Sequence, residues 1–143
     1  MSKNVLITGA ASGIGLHIAE QLARAGHSII VTDLNEQVAQ QAAQKIVNQG
    51  GNAQGYALNV ADSQAIEDFF STLTQPVDVL INNAGIRVSG DLEKTSLDLW
   101  ENVLKTHPIH THCTKIGAIH IQYLFWIGNY DQAIHIHCHL IVF

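Results

Sequence analysis

Three glycines, Gly9, Gly13 and Gly15, stand between a short apolar run, Val5-Leu6-Ile7, and a segment with apolar residues at four-residue spacing, Ile14, Ile18 and Leu22. The run reads as a buried strand and the spaced segment as one face of a helix. Glycines at such a junction allow a tight turn, close approach of backbone to a ligand, and close helix–strand packing. The free N–H groups and the dipole at the following helix start favour an anionic group such as a pyrophosphate. A glycine-rich turn without a ligand is the competing reading, but here the strand and helix that a dinucleotide site requires are both present. Asp33 lies 18 residues after Gly15, at the end of a second apolar run, Ser28 to Thr32. A carboxylate there hydrogen-bonds a ribose 2′-hydroxyl and repels a 2′-phosphate. Leu34 and Asn35 follow it, with no Arg or Lys nearby to offset that repulsion. The preference implied is for NAD over NADP. Asn82-Asn83-Ala84-Gly85 closes a further apolar run. One Asn at a strand end often only satisfies turn backbone, and two before Ala-Gly are more specific.

The elements that must hold these residues alternate along the chain. After the strand Ser28 to Thr32, Asn35 is placed to cap a helix whose inner face carries Val38, Ala42 and Ile46, ended by Gly50-Gly51. Ala53 to Leu58 reads as a third strand, and a helix from about Ser63 carries Ile66, Phe69, Phe70 and Leu73. Pro76 breaks that helix, and Val77 to Ile81 is a fourth strand. A last helix starts near Thr95 or Ser96, with Leu97, Trp100, Val103 and Leu104 on one side. Strand–helix alternation at this spacing means βαβ units, a parallel sheet and helices on both faces. Ligands of such sheets bind at the carboxyl ends of the strands, where the glycine loop, Asp33 and Asn82 to Gly85 all fall.

Together these residues resemble the short-chain dehydrogenase/reductase family, through Thr8 to Gly15 as Thr-Gly-x-x-x-Gly-x-Gly and Asn82 to Gly85 as Asn-Asn-Ala-Gly. The resemblance covers roughly residues 3 to 106. It implies an α/β Rossmann-like, doubly wound parallel sheet, truncated here after the fourth strand and following helix. It implies an oxidoreductase interconverting alcohols and carbonyls with NAD(P). By the same resemblance Asp33 binds the adenosine ribose, Asn59 and Val60 flank the adenine, and Ile14 meets the pyrophosphate through its backbone N–H. Asn82, Ala84 and Gly85 line the cofactor cleft, beside Gly9, Ser12, Gly13 and Gly15 of the glycine loop. The family usually has Asp-Val where this chain has Asn59-Val60, which weakens the adenine contact without removing it, since the Asn carbonyl still accepts from the adenine amino group.

The family's reactive groups are a Ser, a Tyr and a Lys four residues after the Tyr, whose charge helps to lower a phenol pKa that is otherwise about 10. Four residues after Tyr56, Tyr123 and Tyr130 lie Val60, Ile127 and Ile134, so no catalytic residue is assigned. The family also places an Asn seven residues after a Trp; seven residues after Trp100 lies His107. Pro108 follows and disfavours helix at His107, so this helix is expected to stop about two turns early.

Composition changes at the same point. Of the nine His, seven fall in the last 37 residues with both Cys and only two charged residues, Lys115 and Asp131. The chain therefore divides into an NAD-binding half-domain, 1–106, and a His/Ile-rich tail, 107–143, foreign to the family and read as frameshifted or unstructured. Two other readings compete: a metal site using His135, His137 and His139, and a natural ending that packs strands such as Ile134 to His139 over the fourth strand. The spacing matches no structural zinc motif, so no metal ligand is assigned. A sheet ending at its fourth strand, in the order 3-2-1-4, would expose a sticky edge. Net charge is −5 and hydrophobic residues make up 47%, which argues against a nucleic-acid partner. No apolar run approaches the ~20 residues of a membrane span and no signal-peptide layout opens the chain, so a cytoplasmic location is expected. The resulting expectation is an oxidoreductase by ancestry, catalytically incompetent as it stands and not in the family-type oligomer. A small alcohol or carbonyl substrate would be taken only with the missing half restored. The alternative is a non-catalytic NAD-binding or interaction module with a metal-binding His tail.

Overall fold

A computed structural model describes residues 1–86 and 95–106 with their side chains, and the backbone of 120–127 and 134–142. The chain runs β1 (Asn4–Thr8), α1 (Gly13–Arg24), β2 (Ser28–Asp33), α2 (Glu36–Asn48), β3 (Asn52–Ala57), α3 (Ser63–Thr72), β4 (Val79–Ile81) and α4 (Leu97–Thr106), then β5 (His120–Ile127) and β6 (Ile134–Val142). The sheet order is β3-β2-β1-β4-β6-β5. β1 to β4 are parallel, with Leu6 between Ile30 and Leu80. Its first four strands are thus the expected parallel Rossmann-like sheet.

Alternation along β1 builds two cores. Val5 and Ile7 join Ile29, Val31 and Ile81 with the alanines of α1 and α2. Leu6, between them, meets Leu80, Leu58 and Phe69 of α3 on the other face. Successive strand side chains point to opposite faces, so a strand covered on both sides must be apolar throughout, as Val5-Leu6-Ile7 is. Phe69 anchors the second core edge-on to both Tyr56 and Phe70.

The inner face of α1 differs from the sequence reading by one residue, and that of α2 keeps the expected Ala42 and Ile46 but replaces Val38 by Ala39. α1 buries Gly15, Ala19 and Ala23, while Ile14 is 65% exposed and Ile18 and Leu22 are only partly buried. α2 buries Ala39, Ala42, Ala43 and Ile46, and Val38 faces out. Small residues at the seam let each helix backbone come close to the sheet, and the larger side chains flank the contact. Gly55 shows how close: a Cβ there would collide with the Ala39 backbone. β4 is shorter than the expected Val77 to Ile81. At its start the Asp78 carboxylate takes the Asn4 N–H at 2.7 Å, while the Asp78 N–H donates to Asn4 O.

Beyond β4 the expected open edge is covered. β6 pairs antiparallel with β4, Leu140 opposite Ile81 and Val142 opposite Val79, and β5 pairs antiparallel with β6 along its length. Two strands thus lie in the segment read as frameshifted or unstructured, and the pairing residues are Leu140 to Val142 rather than Ile134 to His139. Among the described residues no helix is long and apolar enough to cross a membrane.

Candidate cofactor site

The glycine loop leaves β1 with positive φ at two positions, Gly9 at 61° and Gly13 at 56°, which L side chains rarely adopt. Between them Ala10 is pinned to the neighbouring strand by its N–H to Thr32 O, 2.9 Å. At the α1 start the Ser12 side chain makes no capping hydrogen bond. The Asn35 side chain, by contrast, accepts from the Val38 N–H, and Asp62 accepts from the N–H groups of Gln64 and Ala65. The first-turn N–H groups of a helix have no intrahelical partner. At α2 and α3 the chain itself supplies the acceptor; at α1 no side chain caps them. Ser12, Gly13 and Ile14 are exposed there, with the backbone that would meet an anion.

A latch joins this loop to the end of β4. Thr8 Oγ1 accepts the N–H groups of Asn83 (3.1 Å) and Ala84 (3.0 Å) and donates to Ile81 O. In return the Asn83 side-chain amide donates to Thr8 O at 3.0 Å and Gly9 O at 2.9 Å. Thr8 is buried, so leaving its hydroxyl without these partners would be costly. The fit is tight enough to require two glycines. A Cβ on Gly9 would lie 2.8 Å from Ala84 Cα, and one on Gly15 would collide with the Asn83 amide nitrogen.

Asp33 stands at the carboxyl end of β2, adjacent to β1 in the sheet. Its backbone oxygen accepts the Leu58 N–H at 2.8 Å, and its carboxylate accepts the Leu34 N–H at 2.9 Å. Asn59 is exposed just past β3; its side-chain oxygen accepts the Ala61 N–H, leaving one lone pair on that atom. Val60 packs against the α3-side core. Asn82 is buried, and Ala84 and Gly85 continue from β4 beside the glycine loop. The fold therefore gathers all the sequence-predicted positions at the carboxyl ends of four neighbouring strands. In the sequence Thr8 and Asn83 are only parts of motifs; their role as the latch needs contacts 75 positions apart. His107 lies outside the described residues. Among the described side chains no group of three or more His, Cys, Asp or Glu could hold a metal ion.

This loop pair, with its glycine spacing, coincides with a family-wide pattern: residues 3–111 match the short chain dehydrogenase family. The chain belongs to that family. The match runs past the compositional break placed at Thr106. The chain is 38% identical over 106 residues to the 3-oxoacyl-(acyl-carrier-protein) reductase FabG of Aquifex aeolicus, which covers 71% of this chain and 43% of that protein. Among solved structures it is similar to a gluconate 5-dehydrogenase from Burkholderia cenocepacia in complex with NADP and tartrate, with TM-score 0.65 and 32% identity over 74% of this chain and 43% of that one. It is likewise similar to actinorhodin polyketide ketoreductase with NADPH, with TM-score 0.69 and 33% identity over 73% and 41%. The chain spans less than half the length of these relatives. The chain thus carries part of that family's fold.

Proposed function

We propose that residues 1–106 bind the adenosine and pyrophosphate portion of a nicotinamide dinucleotide, and that the 143 residues as they stand do not transfer hydride. The observation that carries the reading is the uncapped start of α1 held against the Asn82–Gly85 turn by the Thr8–Asn83 latch. On this reading the pyrophosphate sits on the first-turn N–H groups of Gly13, Ile14 and Gly15, beside Gly9 and Ser12. The ribose meets Asp33, the adenine lies between Asn59 and Val60, and Asn82, Ala84 and Gly85 border the nicotinamide side. When bound, the dinucleotide supplies a hydride acceptor or donor. The residues of this half bind and orient it, and none of them stands as the Tyr–Lys pair that would move the substrate proton.

NAD is proposed as the preferred form. The solved relatives were obtained with NADP or NADPH, so the preference rests on Asp33 and on the absence of Arg or Lys beside it. The chain is further proposed to act in the cytoplasm and outside the family-type oligomer, with a small alcohol or carbonyl substrate requiring residues beyond these. Calorimetric titration of the pure chain with NAD and NADP tests the reading. Saturable binding is expected, tighter for NAD, with no change in absorbance at the reduced-nicotinamide band on adding alcohols. Tighter NADP binding would sink the Asp33 argument, and turnover would sink the claim of inactivity.

A further inference from the structure

The six-stranded sheet ends on two unlike strands. One edge is β3, six residues long, with exposed Asn52 and Gln54 and with Gly55 inside it. A Gly in a strand interior weakens it as a partner. The other edge is β5, eight residues, His-Ile-Gln-Tyr-Leu-Phe-Trp-Ile. β6 pairs along its inner side in unbroken register from His120 to Ile127, and among the described residues no strand pairs along its outer side. An edge strand presents a row of N–H and C=O groups to any further strand, and proteins blunt such rows with short strands, bulges, Pro or charged residues, Lys above all. β5 has none of these devices. It is longer than a common strand of about 5–6 residues, its ladder with β6 has no bulge, and it holds no Pro, Gly, Asp, Glu, Lys or Arg. Ile121, Tyr123, Phe125, Trp126 and Ile127 are of the β-branched and aromatic types that favour strands.

Charge and symmetry select what such an edge takes. The net charge is −5, and Lys115 and Asp131 cancel within residues 107–143, so the whole excess lies in residues 1–106. Two copies repel each other through that part and not through β5. A strand that pairs antiparallel with its own copy about a two-fold axis is self-complementary, and the assembly closes at two. Seating β5 on the β3 edge of another copy would instead leave an open edge at each end and grow without closing. We propose that the chain forms a two-fold dimer by antiparallel pairing of β5 with β5 of a second copy, joining the two sheets into one. β5 lies outside residues 3–111, which match the family, so this contact does not follow from that match. The inference does not depend on nucleotide binding.

The test is sedimentation equilibrium of the full chain, without an affinity tag, across a wide range of concentration. A monomer–dimer equilibrium is expected, with nothing larger. The double variant Tyr123→Lys/Leu124→Lys places a cation on each face of the strand, where like charges oppose edge pairing, and is expected to dimerise at least tenfold more weakly. Gln54→Lys puts the same charge on the β3 edge and is expected to dimerise as the parent does. A parent that stays monomeric, open-ended growth, a dimer that persists in the β5 variant, or an equal loss in Gln54→Lys would each overturn the proposal. Should circular dichroism show the β5 variant unfolded, amide hydrogen exchange of the parent at low and high concentration decides. Protection of 120–127 that rises with concentration while that of 4–8 stays constant supports the pairing, and protection of 120–127 independent of concentration refutes it.

Discussion

The helices begin in two ways. α2 and α3 start on Asn35 and Asp62, whose side chains accept first-turn N–H groups, and both starts are exposed. α1 starts on Ser12, which caps nothing with its side chain, and its first turn is bordered instead by Gly9 and the Asn83 amide. A capped helix spends its orphan donors on its own chain and gains stability, typically about 1 kcal/mol per cap. An uncapped one keeps them available for a ligand. On the proposed reading, the difference separates residues that hold the fold from residues that would hold a nucleotide.

The largest effect should come from closing the space that α1 leaves. A side chain on Gly15 meets the Asn83 amide nitrogen, with Gly9 O at 2.7 Å and Ala10 Cα at 2.9 Å, two of the three contacts being backbone. Gly15→Val is expected to abolish NAD binding in calorimetry and to cost about 1–3 kcal/mol or more in urea unfolding, the range for overpacked sites. Gly13, two residues earlier, has positive φ and nothing within 4 Å of a added Cβ. Gly13→Ala should therefore cost only the conformational strain, about 1–2 kcal/mol. Equal losses at the two positions would mean that crowding against the β4 turn is not what makes Gly15 necessary.

What the sequence made legible follows from what acts locally. The glycine loop, the Asn35 cap and the strand runs are encoded within a few neighbouring residues, and each is found close to where expected, although β4 starts at Val79 and not at Val77. The buried stripe of α1 lies one position from the expected one, and α2 keeps Ala42 and Ile46 but not Val38, because size does not decide burial: Ile14 and Val38 outrank alanine in hydrophobicity, yet Ala19, Ala23 and Ala39 make the seam. A signal was present, since Gly15, Ala19 and Ala23 also recur every fourth residue, and Gly55 inside a strand marks a close backbone approach. The Thr8–Asn83 latch was not legible because neither residue's partner is local. Nor was the antiparallel pairing of β6 on β4, where an apolar run without turn-defined register fits several alignments.

The caps sharpen the comparison at intermediate scale. Asp62→Ala and Asn35→Ala should each lower stability by about 1 kcal/mol and leave the NAD dissociation constant unchanged. Ser12→Ala should do the reverse in kind: unfolding within about 0.5 kcal/mol of the parent, as for a surface change that breaks no cap, with weaker nucleotide binding. Denaturant melts alongside calorimetry separate the two. A stability loss at Ser12 as large as at Asp62 would show that α1 is capped in solution after all.

The smallest effect concerns how α1 and α2 are held to each other behind these starts. Lys45 Nζ lies 2.8 Å from Glu20 Oε1, with the Glu20 side chain 13% exposed. The contact with the Lys45 ammonium holds the Glu20 carboxyl below its usual range; burial works in the opposite direction, and the charges of Lys45, Arg24 and His17 reinforce the lowering. A carboxyl whose folded pKa is depressed stabilises the fold above its unfolded pKa, and that contribution is lost as pH falls through the folded value. Glu20→Gln removes the linkage, so the thermal midpoint of the parent should exceed that of the variant at pH 7. The two should converge below the unfolded Glu range, near pH 4 and lower, while NAD affinity at pH 7 stays the same in both. Curves that remain parallel down to pH 3 would show that the pair contributes packing and not charge, and a change in NAD affinity would show that the α1–α2 seam reaches the ligand-facing turn.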